Sequence, residues 1–439
     1  MEADILTLRK NPLEYTNDQK NALEAAASFL RDPERHSFVL AGYAGTGKTT
    51  LLENIAGYIR KLKCECLLTA PTNRAVRVLA DKIPAHPGRT LHSMLYDAPD
   101  EQGNWIPHVE FEQNQVVVCD EASMVGQQVH ADLMNRIMAA KAKLIYTGDS
   151  FQLPPVGNDP KILRAPDFTL KQVMRQAAES NILSLATVVR TLGRKVLPDS
   201  SEPDVALSTP RAVLTSFLMD IQKGRDCVFI CGKNETRIEI NRKARAAKFG
   251  VNFGSAPRPG DRLLCIENGP NVNGETLTAD HIAWCEGVTI GIRSGAGGSA
   301  GDYPAIQKIP AFMAGLNHAK YLIIPEIAMP SVYHGQVVVD RKIFGGDWSI
   351  ENKRANRWEL NKSTVNIATY AYAITAHKSQ GGQWGKVYVN QEASWDEARW
   401  FYTAITRATD ELVIARDKTA SCKEMTWQEI RFSLSGAQK

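Results

Sequence analysis

The sequence predicts an α/β fold built on parallel sheets, and three features of its 439 residues support this prediction. Apolar, strand-like runs alternate with segments of helical periodicity along most of the chain, which is typical of βαβ units. A glycine-rich turn joins one such strand directly to a helix at residues 42–49. From about residue 257 to 363 the helical signal fades and short strand-like runs replace it, which indicates an all-β insertion.

The first third of the chain follows this alternation element by element. Each predicted strand is a short apolar run, and each predicted helix carries apolar residues three and four positions apart. Between 85 and 112, proline, glycine, aspartate and aromatic residues interrupt the pattern, so we expect a small insertion there, a hairpin around Trp105. The strands are predicted at 38–41, 66–70, 116–119 and 143–147, and the helices at 50–63, 73–82 and 127–140.

A second α/β block is expected to begin near residue 180 and to enclose the all-β segment. Residues 294–301, inside that segment, are almost entirely Gly, Ser and Ala, a composition typical of a flexible loop. In the block itself, strands are predicted at 227–231, 365–370, 386–390 and 411–415, and a helix at 235–248. In the all-β segment, strands are predicted at 262–266, 287–293, 320–325 and 335–339.

Composition and charge narrow the class of protein only slightly. The 52 basic and 48 acidic residues give a net charge of +4, which permits nucleic-acid binding without requiring it, because a local patch matters more than the total. The eight cysteines include no CxxC pair, so we expect no zinc cluster and a reduced, intracellular protein. No uncharged apolar run of 18 residues and no signal-peptide core is present, so no membrane span is expected.

The most specific chemical signal is Gly-Tyr-Ala-Gly-Thr-Gly-Lys-Thr at residues 42–49, called here the phosphate loop. In a strand–turn–helix context, the backbone N–H groups of such a loop and the positive end of the helix bind phosphate oxygens. Lys48 is predicted to reach the β- and γ-phosphates of a nucleotide, and Thr49 to hold Mg²⁺. A chance glycine turn is the alternative, and the flanking strand and helix disfavour it.

Two acidic residues, Asp120 and Glu121, follow the predicted strand at 116–119. Open parallel sheets carry their chemistry at the carboxyl ends of the strands. Asp120 is suited to hold Mg²⁺, directly or through water, and Glu121 to orient and deprotonate an attacking water. Paired acids after a strand can also be solvated surface charges. Their position downstream of a phosphate loop favours the catalytic interpretation.

A third polar segment, Gly-Asp-Ser-Phe-Gln-Leu-Pro-Pro at 148–155, follows the predicted strand at 143–147. The amide of Gln152 is suited to sense a γ-phosphate or to position a water molecule. The alternative is a proline-stiffened turn in which Asp149 caps local backbone N–H groups. The residues alone leave both interpretations open.

These motifs, with two late segments at 372–381 and 402–408, resemble those of superfamily 1 helicases of the 5′→3′ subgroup, the Dda/RecD-like proteins. They occur in family order across nearly the whole chain. The resemblance implies two RecA-like core domains, a strand-separating pin and an SH3-like accessory domain. The implied boundaries are 1–84 and 113–179 for the first core domain, 85–112 for the pin, 180–257 and 364–439 for the second core domain, and 258–363 for the accessory domain.

The resemblance assigns further residues to the nucleotide site. Gln19 is implied to recognise adenine, although Thr16 before a helical run is also a good N-cap. Arg175 and Arg407 are implied to contact the γ-phosphate, so that ATP closes the cleft between the core domains and hydrolysis reopens it. The implied catalytic residues are Lys48, Glu121, Gln152, Arg175 and Arg407. The implied ATP-binding residues are Gln19, Gly42, Ala44, Gly45, Thr46, Gly47, Lys48, Thr49, Thr50, Gln380 and Gly381, and the implied Mg²⁺ ligands are Thr49 and Asp120.

The resemblance also implies contacts to single-stranded DNA, mostly at helix N-termini, where backbone N–H groups favour phosphate. A capping or turn role is the alternative for each of these residues. Lys233 stands where the family often has Thr, so the sequence departs from the pattern there. Trp105 either stacks on a base at the fork or packs as local core. The implied DNA-binding residues are Pro71, Thr72, Asn73, Thr90, His92, Trp105, Asn234, Thr375, His377, Lys378 and Ser379.

The activity implied by the resemblance is that of an ATP-dependent DNA helicase that moves 5′→3′ on single-stranded DNA, with ATP and Mg²⁺ as cofactors. The implied partners are single-stranded and forked duplex DNA and replication or recombination proteins, in the cytoplasm of a bacterial or phage-infected cell. A membrane partner is not expected, and a monomer fits the resemblance. One alternative is an ATP-switched module that binds single-stranded DNA without unwinding and would not need Arg407. Another, a small-molecule kinase, is disfavoured by the paired acids.

Overall fold

The structure is a computed structural model that describes most of the chain. In the described residues, the chain forms two parallel sheets, one mixed sheet and a two-stranded ribbon. The described residues are 5–7, 15–84, 86, 88–96, 106–174, 180–251, 256–265, 276–279, 282–293, 306–316, 319–323, 337–339, 366–390, 392, 397–416 and 423–437.

The helices and strands alternate along both ends of the chain, as the sequence predicts. The strands are β1 (Ser37–Gly42), β2 (Glu65–Ala70), β3 (Arg89–Thr90), β4 (Gln115–Cys119), β5 (Lys143–Gly148), β6 (Phe168–Leu170), β7 (Val196–Pro198), β8 (Val205–Ser208), β9 (Cys227–Cys231), β10 (Arg262–Cys265), β11 (Thr276–Thr278), β12 (Ile282–Arg293), β13 (Ile306–Leu316), β14 (Ala319–Ile323), β15 (Val337–Val339), β16 (Asn366–Tyr370), β17 (Ala373–Thr375), β18 (Trp384–Val389), β19 (Ala408–Ala415) and β20 (Lys423–Met425). The helices are α1 (Asn17–Arg31), α2 (Lys48–Lys61), α3 (Asn73–Lys82), α4 (Leu91–Leu95), α5 (Gln127–Ala140), α6 (Asn181–Leu192), α7 (Pro210–Gln222), α8 (Asn234–Phe249), α9 (Ala376–Ser379), α10 (Glu397–Ile405) and α11 (Trp427–Ala437).

The first core domain is a six-stranded parallel sheet with strand order β3-β2-β4-β5-β1-β6. Strand β4 shows why helices cover both faces. Val116 and Val118 belong to one apolar core, whereas Val117 and Cys119 belong to the other. Because successive side chains of a strand point to opposite faces, an unbroken apolar run requires cover on both sides. This arrangement leaves only the strand ends free for chemistry.

The second core domain repeats this plan in a five-stranded parallel sheet with order β17-β9-β18-β19-β8. Strand β9 alternates in the same way, with Val228 and Ile230 in one core and Cys227 and Phe229 in the other. The ribbon of β20 and β7 lies beside it. The predicted α/β fold with two RecA-like core domains is therefore confirmed.

The mixed sheet has the order β11-β10-β16-β14-β13-β12-β15 and lies within the segment for which the sequence predicts an all-β insertion. Its neighbouring strands are antiparallel except for β14 and β16, which run parallel. Strand β16 falls in the range 364–439 assigned to the second core domain, yet it pairs here, with β10 and β14. The SH3-like character of this sheet stays a prediction, and residues 294–301 lie outside the described residues.

The segment 85–112, predicted as a pin insertion, contributes in part to the first core domain. Strand β3 pairs with β2 at the edge of the first sheet. Helix α4 follows at once because Leu91, Met94 and Leu95, at helical spacing, are all buried. An isolated antiparallel bridge joins Tyr96 to Pro107, and Trp105, between them, lies outside the described residues. The hairpin around Trp105 therefore stays a prediction.

The described part of the chain contains no helix suited to span a membrane, and six of its cysteines are free. None of the helices there combines the length and the apolar character needed to cross a bilayer. The six cysteines whose environment is described carry free thiols, and five of them are buried.

Candidate nucleotide site at the seam between the core domains

The phosphate loop connects the end of β1 to the start of α2. Gly47 precedes the helix with φ of 83°, a left-handed conformation that favours glycine. A Cβ atom at Gly47 would lie 2.6 Å from Nε2 of Gln19 and 2.8 Å from Sδ of Met174, so a side chain there would have to displace both. No side chain caps α2. Its first N–H groups are therefore suited to an anion.

Lys48 and Gln19 are both engaged with the phosphate loop. Nζ of Lys48 donates to the carbonyl oxygens of Gly42 at 2.7 Å and Tyr43 at 3.0 Å. Gln19 is buried, and its Nε2 donates to the carbonyl of Thr46 at 3.0 Å. Its Oε1 accepts from Thr16 N as part of a capping box, so the predicted N-cap is present. Recognition of adenine by Gln19 stays a prediction and would require these bonds to exchange.

The segment that precedes Arg175 packs against the same loop. Met174 N donates to the carbonyl of Gly45 at 3.0 Å. The carboxylate of Asp18 accepts from Lys171 N at 2.9 Å and from Gln172 N at 3.0 Å, which fixes the segment to the start of α1. Arg175 itself lies outside the described residues.

The paired acids lie at the carboxyl end of β4 and differ in their surroundings. Oδ1 of Asp120 accepts hydrogen bonds from Glu121 N at 2.9 Å and from the hydroxyl of Thr147. Thr147 lies near the end of the apolar strand β5, and the sequence predicts no role for it. A polar residue near the end of a strand that neighbours β4 is the signal that could have indicated this contact with Asp120. Glu121 adopts a left-handed conformation with φ of 53°, which is uncommon for a residue other than glycine.

The carboxyl of Glu121 is prepared to exchange a proton near neutral pH. Burial, followed by the neighbouring charge of Asp120, raises its pKa to about 7, while Arg407 and Lys48 act in the opposite direction. Within the described residues, its Oε2 is enclosed and makes no hydrogen bond. A raised pKa and an enclosed oxygen are typical of a catalytic base.

The turn after β5 contains both Asp149 and Gln152, and the role of Gln152 stays a prediction. Oδ1 of Asp149 accepts from Phe151 N at 2.9 Å, so the predicted capping is present. Gln152 is buried, and its Oε1 is enclosed without a hydrogen-bond donor among the described residues, as is Oγ of Ser123. Both residues line a cavity of about 530 Å³ beside the turn. These are polar atoms that a bound ligand or water would satisfy.

The second core domain meets this turn through α10 and the segment after α9. The hydroxyl of Thr403 accepts from Leu153 N at 3.0 Å, and Nε2 of Gln380 donates to the carbonyl of Leu153 at 2.8 Å. The hydroxyl of Tyr402 bonds to Asp149 at 2.7 Å and to Ala44 N at 2.9 Å. We call this contact region between the core domains the seam. Neither Tyr402 nor Thr403 was assigned a role from the sequence.

Arg407 lies just after α10, at the seam, and is 5% exposed. Its Nε donates to the carbonyl of Thr403 at 3.0 Å, its Nη1 to the carbonyl of Gly382 at 3.3 Å, and its Nη2 to the hydroxyl of Thr406 at 3.1 Å. The guanidinium is thus held by its own domain. Its charge nevertheless lowers the pKa of Glu121 across the seam.

Arg74 at the start of α3 forms a second contact across the seam. Its Nη2 donates to the carbonyl of Gln383 at 3.0 Å, and its guanidinium lies 3.9 Å from the ring centre of Trp384. Burial, followed by the charge of Arg407, lowers the pKa of Arg74 to about 10. Gly381 packs close by with φ of 71°, and a Cβ atom there would lie 2.9 Å from Oγ1 of Thr72.

Two of the residues implied to bind DNA occupy helix caps in the first core domain. Thr72 caps α3 by accepting from Ala75 N, and the buried Thr90 caps α4 by accepting from Ser93 N. Ser379 is buried, and its hydroxyl donates to the carbonyl of Ala376 at 2.7 Å. The predicted capping alternative is thus present at Thr72 and Thr90. DNA contacts by these residues stay predictions.

Two basic residues implied to bind DNA, His377 and Lys378, lie on α9. Burial lowers the pKa of both, and the charge of Arg237 lowers that of Lys378 further. At the nearby start of α8, Glu392 accepts from Gly232 N at 2.5 Å and Lys233 N at 2.7 Å. A carboxylate of the protein thus satisfies the backbone N–H groups at the start of α8.

The fold and the seam define a class: a P-loop protein of two RecA-like domains, with the phosphate loop in one and a buried arginine at the seam in the other. A family model described as an AAA domain matches residues 14–193, and one described as a UvrD-like helicase C-terminal domain matches residues 370–415. The predicted resemblance to superfamily 1 helicases of the Dda/RecD-like subgroup is thereby confirmed.

Individual relatives agree with these matches. The chain is 26% identical over 427 residues to the ATP-dependent RecD2 DNA helicase of Deinococcus radiodurans, a match that covers 92% of this chain and 50% of that protein. It is 30% identical over 194 residues to the ATP-dependent DNA helicase dda of Enterobacteria phage T4, covering 40% of this chain and 43% of that protein. The chain therefore spans about half the length of the curated relatives that it matches.

A solved Pif1 helicase, from a structure concerned with unwinding at forked duplex DNA, has the same overall fold. The TM-score is 0.51 at 16% sequence identity, and the match covers 97% of this chain and 98% of that chain. At this identity the likeness concerns the fold alone.

Proposed function

We propose that this chain is an ATP-driven motor that moves 5′→3′ along single-stranded DNA and unwinds duplex DNA. One observation carries the proposal: Lys48 lies on the phosphate loop of the first core domain, and the buried Arg407 lies just after α10, the helix of the second domain whose Tyr402 hydroxyl bonds to that loop. A triphosphate seated on the phosphate loop would lie between these basic groups. The names of the two relatives support ATP dependence and DNA as the substrate, and the direction rests on the resemblance to the subgroup.

The residues around the phosphate loop are suited to bind MgATP and to activate water. Thr49 and Asp120 would hold Mg²⁺, because hydroxyl and carboxylate oxygens are the hard ligands that this ion prefers. Only Oδ1 of Asp120 accepts hydrogen bonds within the described residues, which leaves Oδ2 for the ion or its water. Mg²⁺ would neutralise phosphate charge. Glu121 would take the proton of the attacking water, and Gln152 would orient that water.

Movement would follow from the exchange of hydrogen bonds at the seam. Arg407 now donates to carbonyl oxygens of its own domain, and a γ-phosphate would offer it a charged acceptor instead. Binding ATP would therefore draw the second domain toward the phosphate loop, and hydrolysis would release it. Backbone contacts to single-stranded DNA from both domains would convert this cycle into steps, with an affinity that falls as salt rises.

The test is the unwinding of two duplexes that differ only in whether their single-stranded tail is 5′ or 3′. We expect ATP-dependent opening of the 5′-tailed duplex alone, and Lys48→Ala should lose both unwinding and DNA-stimulated ATP hydrolysis. Opening of the 3′-tailed duplex alone would show that the direction is wrong. DNA-stimulated hydrolysis without opening of either duplex would favour the ATP-switched binding module. Normal turnover by Lys48→Ala would refute the nucleotide site.

A further inference from the structure

The hydroxyl of Tyr402 connects the two core domains at two points. It donates to Oδ2 of Asp149 at 2.7 Å and accepts from Ala44 N at 2.9 Å. Tyr402 is 1% exposed, and its ring packs edge-on against Phe151 at 5.2 Å between ring centres. Burial and the adjacent Asp149 carboxylate raise its pKa well above the ordinary value, so the hydroxyl keeps its proton. A group on the second domain thus satisfies two polar groups of the first.

One of these partners belongs to the phosphate loop. Ala44 lies two residues after the end of β1, among the backbone N–H groups that such loops direct toward phosphate. In the structure its N–H is directed at Tyr402 instead. A triphosphate on the loop would bring a charged acceptor close to this N–H. Binding of nucleotide and the hydrogen bond to Tyr402 are therefore linked through a single donor.

The same helix leads to Arg407. Thr403, next to Tyr402, bonds to Leu153 N through its hydroxyl and accepts from Nε of Arg407 through its carbonyl. One face of this helix and of the turn after it carries four residues at spacings of three, one and three, namely Arg399, Tyr402, Thr403 and Thr406. Less than two turns of helix therefore separate Tyr402 from the arginine.

We propose that Tyr402 is a positioning residue, which couples the state of the phosphate loop to the placement of Arg407. This inference rests on the proposed function, since it concerns how the same site is regulated. Tyr402 touches neither phosphate nor water in this role. Its hydroxyl holds α10 at a fixed position relative to the phosphate loop and Asp149. A bound nucleotide releases this hold when it competes for Ala44 N.

A purely structural role is the competing interpretation, and the chain supplies a matched control. Tyr388 is also fully buried, and its hydroxyl donates to the buried Asp220 at 2.6 Å. Both partners lie within the second core domain, in strand β18 and helix α7. Tyr388→Phe therefore removes an equivalent buried hydrogen bond without affecting the seam.

The experiment measures kcat and KM for DNA-stimulated ATP hydrolysis, together with Tm, for Tyr402→Phe, Tyr388→Phe, Asp149→Asn and the double variant Tyr402→Phe/Asp149→Asn. We expect Tyr402→Phe to lower kcat by about tenfold or more without raising KM, because the nucleotide no longer competes with the hydroxyl for Ala44 N. Asp149→Asn should also lower kcat, and the double variant should lose little more than Tyr402→Phe, because the bond between the two residues is already absent there. Tyr388→Phe should lower Tm and leave kcat and KM unchanged.

The two proposals fail in different ways. If wild-type turnover is not stimulated by DNA, the proposed function is wrong and the positioning role falls with it. If wild-type turnover is stimulated and both Tyr402→Phe and Asp149→Asn retain it, the positioning role alone is overturned. Should Tyr402→Phe prove unfolded, the result for Asp149→Asn decides.

Discussion

The two core domains share one architecture but differ in how they satisfy the polar groups at the carboxyl ends of their strands. In the first domain, α2 begins without a side-chain cap, and Oε2 of Glu121 and Oε1 of Gln152 are enclosed without a partner among the described residues. In the second domain, the start of α8 is closed by Glu392. The side-chain oxygen of Asn241 accepts from the backbone N–H groups of Tyr372 and Ala373.

This difference shows which domain is built to receive a ligand. A buried polar group left without a partner costs about 1–3 kcal/mol, so a fold retains such groups where function requires them. The first domain retains them around the phosphate loop. The second domain satisfies the backbone N–H groups named above with its own side chains, and it presents Arg407 at the seam.

The largest effect is expected from Arg407→Ala, which tests whether the second domain contributes a residue to the nucleotide site. If the second domain contributes this arginine to the γ-phosphate, the variant should lower kcat for DNA-stimulated ATP hydrolysis by about 10³-fold, the size typical of arginine fingers. KM for ATP should change little, because the phosphate loop still binds the nucleotide. Steady-state kinetics, with Tm to verify folding, checks this.

Arg431→Ala is the matched control for Arg407→Ala. The guanidinium of Arg431 is in the same part of the chain but exposed, and it pairs with Glu202 at 2.8 Å. Exposed ion pairs contribute about 0–1 kcal/mol, so this variant should keep kcat within twofold of wild type. Equal rates for the two variants would mean that the second domain offers no arginine to the nucleotide.

A smaller effect is expected from Glu121→Gln, which removes the proposed base from the first domain. We expect kcat to fall by about 10²-fold, the lower end of what a general base contributes. In wild type, kcat/KM should rise with pH up to about pH 7, because the pKa of Glu121 is raised to about 7 and only the ionised carboxylate accepts a proton. This rise should weaken in the variant, where only the ionisation of ATP remains. An unchanged pH profile would exclude Glu121 as the base.

The same substitution should also reveal the cost of the raised pKa in the folded state. Below pH 4.5 the carboxyl is protonated in the folded and unfolded chains, so it carries no penalty. As pH rises from 4.5 to about 7, the unfolded chain ionises first, and the folded state loses relative stability. Glu121→Gln should therefore raise Tm relative to wild type above pH 7 and not at pH 4.5. A Tm difference independent of pH would contradict this.

The smallest effect concerns the closed helix start in the second domain. If DNA backbone passes the start of α8, the carboxylate of Glu392 repels it, and Glu392→Gln should strengthen binding of single-stranded DNA by about two- to tenfold at low salt. Fluorescence anisotropy measures this, with Glu424→Gln as the control, because Glu424 is an exposed carboxylate paired with Arg416. Unchanged or weaker binding by Glu392→Gln alone would place the DNA elsewhere.

The predictions from sequence succeeded where local pattern determines structure. The helices at 73–82 and 127–140 and the strand at 227–231 match the structure residue for residue, because their apolar patterns define them. Strand β16 has a strand-like pattern that does not distinguish the two sheets, and only its pairing partners reveal that it belongs to the mixed sheet.

The candidate site was foreseen as a set of motifs but not as a set of contacts. Three contact residues lie in predicted motifs, strands or helices and have no predicted role, namely Tyr402, Thr147 and Arg74. Their partners lie 27 to 358 positions away along the chain, beyond the reach of local pattern. The contact of Glu392 with the start of α8 gave no sequence signal. Contacts between distant segments depend on how the two sheets face each other, which local periodicity does not encode.

The claim that both domains act on one phosphate is tested most directly by the position of Arg407 in a structure with a non-hydrolysable ATP analogue and an oligonucleotide. The account predicts that the guanidinium leaves the carbonyl oxygens of Thr403 and Gly382 and lies about 2.7–2.9 Å from an oxygen of the terminal phosphoryl group. A nucleotide-bound structure in which Arg407 keeps both carbonyl contacts and points away from the phosphate would contradict it.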